Sequence, residues 1–370
     1  MSAAVPWTLE LVWYVLGLGL LAYVLTGGAD FGAGLWDLLA SGPRAKAQRA
    51  AIEHSIAPIW EANHVWLIFI VVVVFTVFPD AFATLCIAFH VPLLLVLIGI
   101  VMRGSAFVFR AYSLAPEASR SRWGHVFAWA SIITPVFLGM TLGGMSSGLI
   151  QVENRVVTSG YFAGWTTPFA LALGLFTLAL FGLLAATYLC ADGPRMLQRD
   201  FKIRALSAEF VAGVLALFAL WRVHADAPLL WKRLSDVDMF WSVQLAVGLL
   251  ALVIFVTLAL ERYRIARLAV VLQVALVVVL WGSAMAGDLI LNVANIHSSG
   301  ARAETVAGLL PVLAVGFALC LPALVYLFRV FKSASAAYER QMLERVAPSS
   351  NSGAEGRAPS SEERESESTL

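Results

Sequence analysis

Charge is scarce in this sequence. Asp, Glu, Lys and Arg make up 13% of its 370 residues while hydrophobic residues make up 60%, against roughly 25% and 45–50% in ordinary soluble domains. That balance excludes a soluble globular domain and implies a membrane protein. The formal net charge is only +1, so there is no basic excess of the kind that binds nucleic acid. Cysteine is equally sparse. Cys86, Cys190 and Cys320 each lie alone in an apolar segment, without a C-x-x-C pair or a histidine at ligand spacing, which excludes a disulfide framework and a cysteine metal site and leaves three small core residues. The N-terminus has no basic segment followed by a small-residue cleavage site, so Trp7 to Thr26 reads as a retained first span rather than a signal peptide.

What is abundant is long apolar runs. A helix needs about 20 mainly apolar residues to cross the hydrocarbon core, and segments near 7–29, 58–78, 81–102, 125–147, 167–190, 204–222, 240–260, 266–287 and 306–330 satisfy this. The expected fold is an all-α integral membrane protein of nine transmembrane helices. Phe78-Pro79-Asp80 reads as a tight hairpin between the second and third, because proline disfavours helix at the residue before it. Connections one, three, five and seven hold 14 Lys and Arg against five in the even ones. By the positive-inside rule the N-terminus is then outside and the C-terminus cytoplasmic; Arg329 and Lys332 agree. Beyond Ser333 an amphipathic stretch, "AAYERQMLERV", precedes a tail rich in Ser, Glu and Gly, too poor in apolar groups to offset its ordering entropy.

The few ionisable groups inside spans therefore carry the functional signal, since an ionised side chain at helix centre costs about 2.5–3.5 kcal/mol on insertion scales. In "SIAPIWEANHVWLI" Glu61 lies about one turn into the second span from its cytoplasmic end, and Trp60, Asn63 and His64 share a helix face. Glu61 and His64 are i,i+3 neighbours that can meet. If helix extends back through "IEHSIAP", His54 lies two turns below on the same line, and Pro58 leaves the His54 carbonyl without its helical donor. The three make a ladder of proton-exchanging groups; the plainer reading is that Glu61 and His64 only bond neighbouring helices. The first span ends in "TGGADFGAGLWDLLA", where Gly27, Gly28, Gly32 and Gly34 permit close helix approach or an unwound backbone around a second acid, Asp30. Asp30 either sees water at the interface or takes part in the same chemistry. Arg103 ends the third span and either snorkels or neutralises Asp30 or Glu61. His90, His125, His224 and His297 are scattered singly, and nothing selects a facing pair of haem ligands. "GDLILNVANIHSSG" reads as an external loop. The tryptophans read as packing or interfacial anchors. "LLAYVLTGGADFG" and "LLAATYLCADGPR" echo one another as if two four-helix units shared a plan.

Together "TGGADFGAGLWDLL", "SIAPIWEANHVWLI" and "RGSAFVFR" resemble subunit II of the cytochrome bd family of quinol oxidases, closely over the first 110 residues and beyond them in helix count and loop placement. The resemblance implies two four-helix bundles plus one peripheral helix. Divided accordingly, 1–147 is the first bundle with the acidic motifs, 148–290 the second, 291–332 an outer loop and the ninth helix, and 333–370 the cytoplasmic stretch and tail. It implies a bacterial or archaeal inner-membrane complex that oxidises quinol and reduces dioxygen to water. Haems b and d are expected in subunit I, with no metal or cofactor held by this chain and a quinone site left open. The implied partners are subunit I, a small single-helix accessory subunit, quinol and membrane lipids, with no nucleic acid. The chain's implied part is a cytoplasmic proton path and structural support. Carried over by position, Asp30 is the family's acid at the end of helix one and Trp60 and Glu61 its tryptophan–acid pair. Asn63, Trp66, Arg103 and the glycines Gly28 and Gly32 fill motif places. Two departures stand out: Gly27 occupies a place where many relatives have Asp, and Glu61 a place often filled by Asp. Two other readings remain: a proton- or ion-coupled secondary transporter, and a purely structural assembly subunit.

Overall fold

A computed structural model describes residues 6–112 and 117–346, with side chains for 7–55, 63–110, 121–327 and 329. Long helices dominate it: α1 (Pro6–Leu38), α2 (Ala45–Val77), α3 (Pro79–Ala88), α4 (His90–Tyr112) and α5 (Glu117–Ser146) come first. A small hairpin, β1 (Val152–Glu153) with β2 (Val156–Val157), leads to α6 (Pro168–Asp192), α7 (Gln198–Asp226), α8 (Pro228–Asp236), α9 (Phe240–Ala259) and α10 (Tyr263–Met285). A second hairpin, β3 (Asp288–Ile290) with β4 (Ala294–Asn295), and the single turn α11 (Ile296–Ser299) precede α12 (Ala303–Val346). Both hairpins are antiparallel. Among the described residues eight helices are long and apolar enough to cross a membrane alone, and α2 with the bent α3 makes up to nine.

The third span is the one that differs from the sequence expectation. Apolar composition runs straight through 81–102, yet α3 is only ten residues long and is bent by 117° from the Asn63–Val77 part of α2. Pro79 opens α3 after Phe78 leaves helical geometry (φ −127°, ψ 58°). The chain breaks again at Phe89 because Pro92 has no N–H to give the carbonyl of Ala88 and its ring crowds that carbonyl. The crossing helix is therefore His90–Arg110, and α3 packs instead against α11, β2, β3 and β4. His90 sits exposed at the start of α4, edge-on to Tyr161. Helix also extends at both ends of the first connection. α1 continues through the glycine-rich stretch without unwinding, and α2 starts at Ala45, so "IEHSIAP" is helical.

In lipid, helices gain little from apolar burial against one another, and close backbone packing takes its place. α1 packs on α2, α5 and α6; α4 on α5; α5 on α6; α6 on α7 and α10; and α9 on α10. Three glycines of α1 make two of these contacts possible, those with α6 and α5. A Cβ on Gly32 would overlap the main-chain carbonyl of Phe181, one on Gly28 would press into the Phe181 ring, and one on Gly34 would overlap the Ser131 side chain. Because the obstacle at Gly32 is backbone, Gly32→Ala is expected to lower stability by about 1–3 kcal/mol. A drop in the melting temperature of the purified protein would show it, with Gly17→Ala, which meets nothing within 4 Å, as the control.

The described residues through Val325 form one compact unit and those from Tyr326 a second. In the first, the segment read as an external loop is well built. Leu289, Ile290, Leu291, Ala294 and Ile296 are buried, and the Leu291 N–H donates to the Met145 carbonyl at 2.9 Å. In the second, α12 carries the "AAYERQMLERV" stretch; the Ser- and Glu-rich tail beyond Val346 lies outside the described residues.

Candidate functional site

Helical repeat alone places Tyr23, Gly27, Asp30, Gly34 and Asp37 on one stripe of α1, at alternating steps of four and three. Ile100, Arg103, Phe107 and Arg110 make the matching stripe of α4. The two stripes meet in two ion pairs separated by seven residues on each helix.

The inner pair is Asp30–Arg103. Asp30 is 0% exposed and Arg103 2%, so neither an interfacial acid nor a snorkelling arginine describes them. The guanidinium grips the carboxylate with two parallel bonds, Nη1 to Oδ2 at 2.6 Å and Nη2 to Oδ1 at 2.5 Å. Nη2 also donates to the Asp30 carbonyl at 3.2 Å, and Nε donates to Ser131 Oγ at 2.9 Å. The rings of Phe31 and Phe127 cover the guanidinium, 4.9 and 4.8 Å from it. This is the planar, bidentate, ring-stacked arrangement that arginine serves and lysine does not. Asn63 on α2 adds a third donor to the acid, Nδ2 to Oδ2 at 3.3 Å. A carboxylate only accepts, so the amide must turn its N–H₂ toward Asp30, which leaves Asn63 Oδ1 buried and without a hydrogen-bond partner among the described residues. Gly27 makes this possible: a Cβ there would stand 2.5 Å from Asn63 Oδ1. The acid absent at that position thus makes room for an amide.

The outer pair lies toward the α1–α2 connection. Arg110 Nη1 donates to Asp37 Oδ2 at 2.9 Å and Nη2 to Oδ1 at 3.2 Å, while Nη2 lies 3.3 Å from Glu53 Oε2 on α2. Asp37 is buried and Glu53 reaches solvent, with 34% of its side chain exposed. Next to Glu53, His54 is half-buried, and desolvation lowers its pKa, favouring the neutral ring.

A small cavity of about 10 Å³ opens beside the inner pair, lined by Tyr23, Asn63, His64 and Arg103 with apolar walls from Phe31, Leu67 and Ile100. Of the residues singled out from sequence, Asp30, Asn63, His64 and Arg103 therefore converge. Trp66 does not: it packs on Phe317 of α12, ring centroids 6.3 Å apart. The Trp60 and Glu61 side chains lie outside the described residues. Gly28 and Gly32 face α6, away from the cavity. Sequence reasoning missed Tyr23, Ser131, Asp37, Glu53 and Arg110. The seven-residue spacing shared by Asp30/Asp37 and Arg103/Arg110 was the available signal. It also missed Glu209 on α7, which is 3% exposed and accepts a bond from Gln273 Nε2 at 2.8 Å. His125, His224 and His297 stand apart: His125 lies against the Ser121 carbonyl, His224 on Trp231 and His297 near Glu10. Among the described residues no group of three or more His, Cys, Asp or Glu is placed to hold a metal ion.

A profile of the cytochrome bd terminal oxidase subunit II family matches residues 8–331. The chain belongs to that family. It is 28% identical over 189 residues to cytochrome bd-I ubiquinol oxidase subunit 2 of Escherichia coli K12, an alignment covering 49% of this chain and 48% of that protein. It is 24% identical over 253 residues to cytochrome bd ubiquinol oxidase subunit 2 of Bacillus subtilis 168, covering 66% and 71%. The chain thus spans about half the length of the first of these relatives. Its fold is similar to that of a chain in the bd oxidase of Geobacillus thermodenitrificans, with a TM-score of 0.74 at 20% identity, covering 88% of this chain and 98% of that one. For a subunit II family member, the crossing helices and the paired acids of α1 are thus on the same chain segment as the family match.

Proposed function

We propose that this chain is the subunit II partner in a membrane-bound quinol:oxygen oxidoreductase, and that it supplies a proton path and structural support rather than haem ligands. The family match over residues 8–331 carries the proposal. Haems b and d would then reside on subunit I, where quinol oxidation delivers the electrons that reduce dioxygen to water. A small single-helix subunit and lipids complete the assembly, in a bacterial or archaeal inner membrane. The excess of Lys and Arg around the α1–α2 connection and the other odd connections supports a cytoplasmic face there and an external N-terminus. The packing of α1 on α2 and α5, of α4 on α5, of α6 on α7 and α10 and of α9 on α10 supports two four-helix bundles joined through α6 within the one compact unit that runs through Val325.

On this orientation Glu53, Asp37 and Arg110 form the cytoplasmic mouth, and Glu61 and His64 lead inward on α2. Asp30 has both oxygens taken up by Arg103, with Asn63 as a further donor, so its part in the path is to fix the charge and the amide beside His64. Reducing dioxygen consumes protons, and a path from the cytoplasmic side would provide them. Affinity purification of the tagged chain from its native membranes tests the assignment. A haem-bearing complex with quinol-dependent oxygen consumption is expected. A chain that purifies alone, without haem, and drives proton-coupled solute flux in vesicles would instead establish the transporter reading.

A further inference from the structure

Two residues that line the cavity beside Asp30 and Arg103 each carry a polar atom that the ion pair does not satisfy. Tyr23 Oη and Asn63 Oδ1 are both buried and have no hydrogen-bond partner among the described residues, and both residues line the same space. A buried hydroxyl or amide oxygen left unpaired costs about 1–3 kcal/mol. Two such atoms, on residues that line one small cavity, therefore call for a ligand with hydrogen-bonding capacity on more than one side. The volume, about 10 Å³, is close to the smallest that admits a water molecule. Chemistry matches size: Asn63 Oδ1 only accepts, whereas a phenol both donates and accepts. One water can give a hydrogen to Asn63 and take one from Tyr23.

We infer that this cavity is a binding site for a single internal water, held by Tyr23 on α1 and Asn63 on α2, and that Tyr23 is a positioning residue of the proton path. The inference rests on the proton-path reading for its role, but not for the site itself. The water joins Tyr23 to the Asn63–Asp30–Arg103 network and places a mobile proton carrier in the cavity that His64 also lines. No net charge accumulates on it: a water that accepts one proton releases another, and Tyr23 and Asn63 stay neutral throughout. Two features keep the site in place. Gly27 leaves the amide its room, and the bidentate grip of Arg103 on Asp30 fixes the oxygen to which the amide donates.

The experiment is a high-resolution map of the assembled complex, wild type and Tyr23→Phe, with oxygen consumption measured on both and on Glu61→Gln. Density for one water within hydrogen-bonding distance of Tyr23 Oη and Asn63 Oδ1 is expected in the wild type and not in Tyr23→Phe, with the Asp30–Arg103 pair unmoved. Turnover of Tyr23→Phe should fall about tenfold, the rate equivalent of one hydrogen bond, with unchanged haem spectra. A dry cavity in the wild-type map overturns the site. A wet cavity with full turnover in Tyr23→Phe, while Glu61→Gln is impaired, overturns the role of Tyr23 and leaves the path standing. Full turnover in Glu61→Gln overturns the path, and the role of Tyr23 with it, while the map still decides the water.

Discussion

Replacing Arg103 by leucine is expected to destabilise the protein by about 3–5 kcal/mol, the cost of leaving one member of a buried ion pair uncompensated. Asp30 is 0% exposed, so neither solvent nor salt can take over from the guanidinium, and among the described residues only the Asn63 amide, 3.3 Å away, would still donate to its carboxylate. The double variant Asp30→Asn, Arg103→Leu removes both charges and should recover a large part of the loss. The coupling between the two sites, measured by denaturation of single and double variants, is the quantity to compare. Arg110→Leu should cost less, because Arg110 is 14% exposed where Arg103 is 2% and the second acid beside it, Glu53, reaches solvent. Equal losses at Arg103 and Arg110, or additive losses at Asp30 and Arg103, would show that burial does not set the strength of these pairs.

Glu61→Gln is expected to lower oxygen consumption by about a hundredfold, the lower end of what a proton-transferring side chain contributes. Glutamine keeps the length and hydrogen-bonding capacity of glutamate but does not exchange a proton near neutral pH, so assembly and haem spectra should be preserved. Glu61→Asp, which shortens the arm by one methylene, should retain most of the activity. Wild-type turnover in Glu61→Gln with intact spectra would leave the chain a purely structural subunit. Glu61→Gln and Arg103→Leu differ in kind: the first should slow turnover in a stable protein, the second should weaken the protein itself.

Much of this was legible one helix at a time. Composition separates lipid-crossing segments from soluble ones because the hydrocarbon core requires long uninterrupted apolar runs, and eight of the nine expected spans lie within a few residues of observed helices or inside longer ones. The third was misplaced because hydropathy does not register that Pro92 removes a donor and crowds the preceding turn; reading the backbone chemistry as well as the apolar run would have moved it to His90–Arg110. Asp30, Asn63, His64 and Arg103 were identifiable singly, since each is a polar group where polar groups are costly. Glu209 escaped notice for want of a recognisable motif around it, although it is as deeply buried as Asn63.

The amino-acid sequence by itself determined that this is a helical membrane protein with acids gathered near the end of α1 and on α2, because insertion and helical periodicity depend only on local order. It did not determine which charges meet. Asp30 and Arg103 are 73 residues apart in the chain, and only the packing of α1 on α5, with Gly34 against Ser131, brings the arginine of α4 within reach of the acid. Nor could it show that Gly27 matters for the amide opposite it, or that Tyr23 and Asn63 open onto one cavity. Those are relations between helices, set by how closely their backbones approach.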